Sequence, residues 1–148
     1  KPDRRQRQMC IRDSYEAHEK ANAVVHTHSD YCVALACQLK PLPGFHYLVG
    51  SFGGNDVPCV PYSTFGTQSL GDDAAAALKD RSACLLGKHG MISRGRNLAS
   101  AVTLAHRLEI MCRQYLLTCQ LGEPELLTDA DWDEFFDRAQ KISYGKFI

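Results

Sequence analysis

Two histidines one residue apart, His26 and His28 in Val25-His26-Thr27-His28, are the residues whose types and spacing most directly suggest chemistry. The Ala23-Val24-Val25 run before them favours a strand, where residues i and i+2 share a face with Cα atoms roughly 6–7 Å apart, so both imidazoles can aim at one ion. An H-x-H pair on a helix would not converge in this way. Strand histidines are more often half-buried hydrogen-bonding residues, and spacing alone leaves that reading open beside metal binding. A third histidine, His89 in Lys88-His89-Gly90, follows a strongly apolar run and precedes a glycine that lets backbone approach closely. Imidazole suits zinc and its transition-series neighbours. Three histidines leave one position for water or substrate, the mark of a catalytic rather than a structural site.

These side chains need a frame, and the chain supplies one by alternating short apolar runs with helical patterns. The strand ending at His28 feeds a helix predicted over residues 30–38, with Ser29 at its N-cap. Residues 45–52 read as a second strand, ended by Gly53-Gly54. Residues 57–62 read as a third, which Pro58 and Pro61 confine to an edge or an irregular path. An alanine-rich helix is predicted over residues 68–80. The continuous apolar run over residues 82–86 reads as a buried strand that delivers His89 to its end, and residues 91–93 continue the sheet. The longest helix, capped by Asn97 and ended by Gly122, places Leu98, Val102, Ala105, Leu108, Cys112, Tyr115 and Cys119 at helical spacing against a sheet face. Thr128-Asp129-Ala130-Asp131 has capping-box spacing and opens a last helix carrying Trp132, Phe135 and Phe136.

Composition sets the bounds. At 148 residues, 45% hydrophobic and 23% charged, the chain is an ordinary globular domain with enough length to bury a core. Seventeen basic residues balance seventeen acidic ones, and no basic stripe beyond the first dozen residues would neutralise nucleic acid or an anionic membrane. No apolar run approaches the length needed to span a bilayer. The seven cysteines, Cys10, Cys32, Cys37, Cys59, Cys84, Cys112 and Cys119, include no C-x-x-C pair and sit mostly among apolar neighbours. They read as reduced, buried thiols, and the expectation is a soluble cytoplasmic protein without nucleic-acid or membrane partners. Residues 1–14 are basic and aperiodic, and are expected to be a non-native or disordered head.

The motifs Ala21-Asn22-Ala23-Val24-Val25-His26-Thr27-His28, Val57-Pro58-Cys59-Val60-Pro61-Tyr62-Ser63-Thr64-Phe65-Gly66-Thr67 and Leu85-Leu86-Gly87-Lys88-His89-Gly90-Met91-Ile92 resemble the class II aldolase and adducin family. The P-Y-x-T-F-G-T stretch is most similar to its L-fuculose-phosphate aldolase branch. The resemblance runs over residues 21–144, with the motifs in the family's order and spacing. It implies a three-layer α/β/α domain with a central, mainly antiparallel sheet, in which His26, His28 and His89 hold one Zn2+ per subunit of a homotetramer. The implied reaction is aldol cleavage of a sugar phosphate to dihydroxyacetone phosphate and an aldehyde, through an enediolate that the metal stabilises. Tyr47 matches the family tyrosine that reaches a neighbouring subunit's site and moves a proton at the aldehyde oxygen. Phe65 and Tyr144 match positions that line the aldehyde end and the C-terminal flap. Apart from the resemblance, Tyr47 reads as an interface or core aromatic, Phe65 as core and Tyr144 as a tail residue. His46 and His106 read as structural, and Glu109 as a solvated or paired surface charge.

The chain departs from the family pattern before its first histidine. The G-N-x-S turn, the T-P-x-G phosphate loop and the S-S-E segment are not found, and Gln6-Arg7-Gln8 stands where the family's general base falls. Glu16 and Glu19 lie too close to His26 to be assumed replacements. The fold is therefore expected to be incomplete at its N-terminus, with residues 15–148 the C-terminal portion of one domain, and the chain by itself a weak or inactive enzyme with apolar faces left open. Alternative functions are a pentose-phosphate 4-epimerase or methylthioribulose-phosphate dehydratase on the same scaffold, a metal-binding fragment without turnover, and an adducin-like interaction module. The intact histidine trio counts against the last.

Overall fold

In the computed structural model, residues 22–142 are described; the expected head and Tyr144 lie outside them. Short apolar runs form the strands β1 (Ala23–Thr27), β2 (Cys59–Val60), β3 (Ala83–Leu86) and β4 (Gly90–Gly95). The helical patterns form α1 (Asp30–Cys37), α2 (Gln68–Ala77), α3 (Leu98–Cys119) and α4 (Asp129–Lys141). The sheet order is β1-β4-β3-β2. β4 runs antiparallel to both neighbours, and β2 pairs parallel with β3.

Strand alternation sends successive side chains to two separate cores. Val25, Ala83, Leu85 and Met91 join α1 and α3 on one face, through Cys32, Leu35, Leu104 and Leu108. Val24, Cys84, Leu86 and Ile92 join α2 on the other, through Leu70, Ala74 and Leu78. Two adjacent β4 residues pin the helices to these faces. Ser93 Oγ donates to the Ala101 carbonyl at the start of α3 (2.9 Å), and Arg94 Nε donates to the Leu78 carbonyl at the end of α2 (3.0 Å). The result is an α/β domain with a mostly antiparallel sheet between helical layers.

The caps follow local sequence. The Asn97 side chain accepts the Ser100 N–H at 2.8 Å, and the Thr128–Asp131 pair closes its box in both directions, with Asp131 accepting the Thr128 N–H at 2.8 Å. The prolines confine β2 to two residues at the sheet edge, as their missing N–H groups require.

Two expectations are corrected. Residues 45–52 do not form a strand. Tyr47–Phe52 is a 3-10 helix whose N-cap, His46, accepts the Leu48 N–H on its ring nitrogen. Three-residue periodicity stacks Val49 and Phe52 on the buried side, and Gly50 meets α4 so closely that a Cβ there would overlap the Phe135 ring. A short apolar run cannot be told from a strand by periodicity, and tertiary packing decided it. On α3, Ala105, Leu108 and Cys112 are buried as expected, but Leu98 (66% exposed) and Val102 (49%) face solvent. Ala101, Leu104 and Met111 complete the buried stripe instead.

Candidate metal centre

His26 belongs to the β1–β4 ladder, paired with Ile92, while His28 follows the last strand residue and His89 occupies the tight connection between β3 and β4. Sheet pairing therefore brings residues some sixty positions apart to one corner. Their ring centroids form a nearly equilateral triangle, with separations of 4.8, 5.0 and 4.9 Å. One nitrogen from each lies within 4.8 Å of the others.

His26 Nδ1 donates to the Met91 carbonyl at 2.8 Å. A carbonyl only accepts, so the proton is on Nδ1 and the Nε2 lone pair is directed to the centre. There it lies 3.1 Å from His28 Nε2, close to the roughly 3.3 Å that separates two nitrogens of a tetrahedral zinc site. Two ring nitrogens that converge at that distance suit a shared cation. Gly90 keeps the space open. A Cβ there would overlap the Thr27 carbonyl oxygen and come within 2.9 Å of the His28 ring and 3.4 Å of the His26 ring. Lys88, just before His89, takes the left-handed conformation (φ 57°) that turns the chain back into β4.

The electrostatics agree with neutral imidazole donors. Burial lowers the His26 pKa, against the Met91 carbonyl, which raises it, and the charge of His28 lowers it further. Burial also lowers the His89 pKa, followed by the charges of His26 and His28. Neutral rings offer lone pairs at physiological pH, the form metal binding requires. Donor chemistry, ring spacing and the glycine cradle thus fit a metal ion with three nitrogen ligands.

Of the other expected site residues, Tyr47 and Phe65 are among those described. Tyr47, 48% exposed, stacks on His46 (4.8 Å) and approaches Phe135 of α4 (6.1 Å). It borders a surface cleft of about 220 Å³ with Phe135, Arg138, Ala139 and Ile142. Phe65 is 73% exposed beside the start of α2, so the core reading of it is corrected. Glu109 is corrected as well. Its carboxylate, half-buried on α3, accepts the Tyr31 N–H at 3.0 Å and the Cys32 N–H at 2.9 Å. A signal for this was present, because Glu109 falls between Ala105 and Cys112 on the buried stripe, where an unpaired carboxylate would be costly. Among the described cysteines, Cys32, Cys84 and Cys112 are buried and in no disulfide, whereas Cys37 and Cys119 are exposed. No described helix is long and apolar enough to cross a membrane.

A sheet covered by helices, with three histidines converging at its corner, defines the class, and the family model for the class II aldolase and adducin N-terminal domain matches residues 12–116. The chain belongs to that family. It is 43% identical over 111 residues to an L-fuculose phosphate aldolase of Escherichia coli O6:H1, covering 75% of this chain and 52% of that protein. It is 44% identical over 123 residues to a 5-methylthioribulose-1-phosphate/5-deoxyribulose-1-phosphate aldolase of Rhodospirillum rubrum, covering 83% of this chain and 55% of the relative. A solved L-fuculose 1-phosphate aldolase superposes with a TM-score of 0.85 at 32% identity, over 93% of this chain and 63% of the other. The chain spans about half the length of the two sequence relatives.

Proposed function

We propose that the protein is a zinc-dependent aldolase that cleaves a fuculose-1-phosphate-like sugar phosphate to dihydroxyacetone phosphate and an aldehyde. The observation that carries this reading is the convergence of His26, His28 and His89 at one corner of a class II aldolase fold. A zinc ion held by these rings supplies Lewis acidity toward the sugar's carbonyl and adjacent hydroxyl oxygens. In the cleavage a carbon–carbon bond breaks, its electron pair stays with the phosphorylated ketose half, and the other half loses a hydroxyl proton as its aldehyde forms. The Tyr47 phenol, half exposed on the 3-10 helix, suits that proton transfer across a subunit boundary of a homotetramer. Phe65 and Tyr144 are assigned to positions that line the aldehyde end and the C-terminal flap. The proposal includes a cytoplasmic location.

The similarity to the Rhodospirillum rubrum aldolase favours a second substrate, 5-deoxyribulose-1-phosphate, for the same reaction. The test is dihydroxyacetone phosphate release from each sugar phosphate, with zinc content measured on the same sample. Release from fuculose-1-phosphate together with about one zinc per chain is expected. Zinc without release from either sugar overturns the activity but keeps the metal centre; a chain free of zinc after incubation with the ion overturns both.

A further inference from the structure

The fold holds the three histidines unequally. His26 lies within the β1–β4 ladder, and its ring is bonded to the Met91 carbonyl. His89 sits in the connection between β3 and β4, its backbone N–H donating to the Leu86 carbonyl at 3.0 Å. His28 lies beyond the last ladder pair, Thr27 with Met91, and is the exposed member of the trio. A ligand outside the sheet needs some other restraint if it is to meet the ion in one orientation.

That restraint comes from another helix. The Glu109 carboxylate on α3 receives the N–H groups of Tyr31 and Cys32, the second and third residues of α1. Ser29 occupies the N-cap of α1 but its side chain makes no cap bond. Its hydroxyl instead lies 3.1 Å from the Thr27 hydroxyl. Thr27 and Ser29 are the two residues flanking His28. Their hydroxyls are thus linked to each other, and the chain runs from Ser29 straight into the two N–H groups that a carboxylate far away in sequence holds. A negative charge at a helix N-terminus, accepting two backbone N–H groups, makes a strong anchor.

We infer that Glu109 is a positioning residue for the metal centre: it fixes the turn from Thr27 to Ser29 so that His28 faces His26 and His89. The inference rests on the metal-centre reading and extends it to the residue that orients its least supported ligand. A carboxylate that only stabilised α1 would affect folding without changing how the ion is held.

Titration of the full chain with Zn2+ and Co2+ separates these roles. Glu109→Ala is expected to weaken both ions about ten- to a hundred-fold and to change the visible absorption of the cobalt complex as an imidazole leaves its coordination. Glu109→Gln keeps an oxygen acceptor and is expected to recover most of the loss. Trp132→Phe, a truncation in the aromatic layer, is expected to lower fold stability with cobalt spectrum and affinities unchanged. Wild-type affinity and spectrum in a folded Glu109→Ala chain overturn the inference, as does an equal loss in Trp132→Phe. Should Glu109→Ala fail to fold, Glu109→Asp carries the test, since its shorter side chain draws the carboxylate back from the Tyr31 and Cys32 N–H groups; wild-type affinity and cobalt spectrum there overturn the inference. A wild-type chain that binds neither ion overturns the metal centre itself, a result read before any variant is made.

Discussion

At the histidine corner the main chain does the orienting, through ladder register, the Met91 carbonyl on His26 and the side-chain-free approach of Gly90. Around Tyr47 aromatic rings do it. Trp132 meets Phe135 edge-on at 5.7 Å and stacks on Phe136 at 5.8 Å, Phe135 meets Phe136 edge-on at 5.2 Å, and Tyr47 rests against Phe135. Hydrogen bonds to a sheet fix direction while burying little surface, whereas ring packing buries much surface and fixes direction loosely. The first suits a centre that must hold a small ion in a set geometry. The second suits a surface that must hold α4 on the domain and still leave a tyrosine half exposed. The comparison predicts that ligand affinity and fold stability are separable in this chain.

The largest expected effect is at the corner. His26→Ala should reduce zinc affinity more than about a hundred-fold, beyond what loss of an outer hydrogen bond costs, as read by chelator competition. Urea unfolding of the metal-free variant should shift by about 1 kcal/mol or less, because the ring contributes little to either core. A large stability loss would break the comparison. Trp132→Ala should show the reverse: about 3–5 kcal/mol lost in urea unfolding, since Trp132 is buried in the aromatic layer, with zinc affinity preserved within about twofold.

The smallest effect is one of pH. Partial burial raises the Glu109 pKa, but the hydrogen-bonding groups around it, led by the N–H groups of Tyr31 and Cys32, together leave the folded value below that of an ordinary carboxylate. A carboxyl group depressed in the folded state contributes its full stabilisation above its unfolded pKa and loses it as pH falls through the folded value. Glu109→Gln should therefore flatten the acid limb of metal-free stability below about pH 4.3. The lowered His26 and His89 values give the same sign over a higher window, because the native state favours neutral rings that must charge as acid is added. Their contribution should begin to fall near about pH 6.5, so a double substitution of these rings should change the limb there and leave the Glu109 window unaltered.

Much of the fold and two of the three histidines of the centre were legible from local chemistry. Alternation placed His26 and His28 together, Pro58 and Pro61 shortened β2, and the Asn97 and Thr128 caps opened α3 and α4. Ser29 takes the N-cap position expected of it, while Glu109 does the bonding. The strand expected over residues 45–52 failed because the apolar run finds no partner strand among the described residues and packs on Phe135 instead.

The sequence by itself determined the residues whose behaviour depends on their neighbours along the chain: strand periodicity, capping side chains, proline limits and the family motifs around each histidine. Only the tertiary structure decided how His89 closes the triangle, which stripe of α3 is buried, and that a carboxylate on α3 anchors the turn carrying His28. Local patterns act over one or two turns of chain, whereas these features depend on which sheet face and which helix meet in space, and no spacing in the sequence encodes that distance.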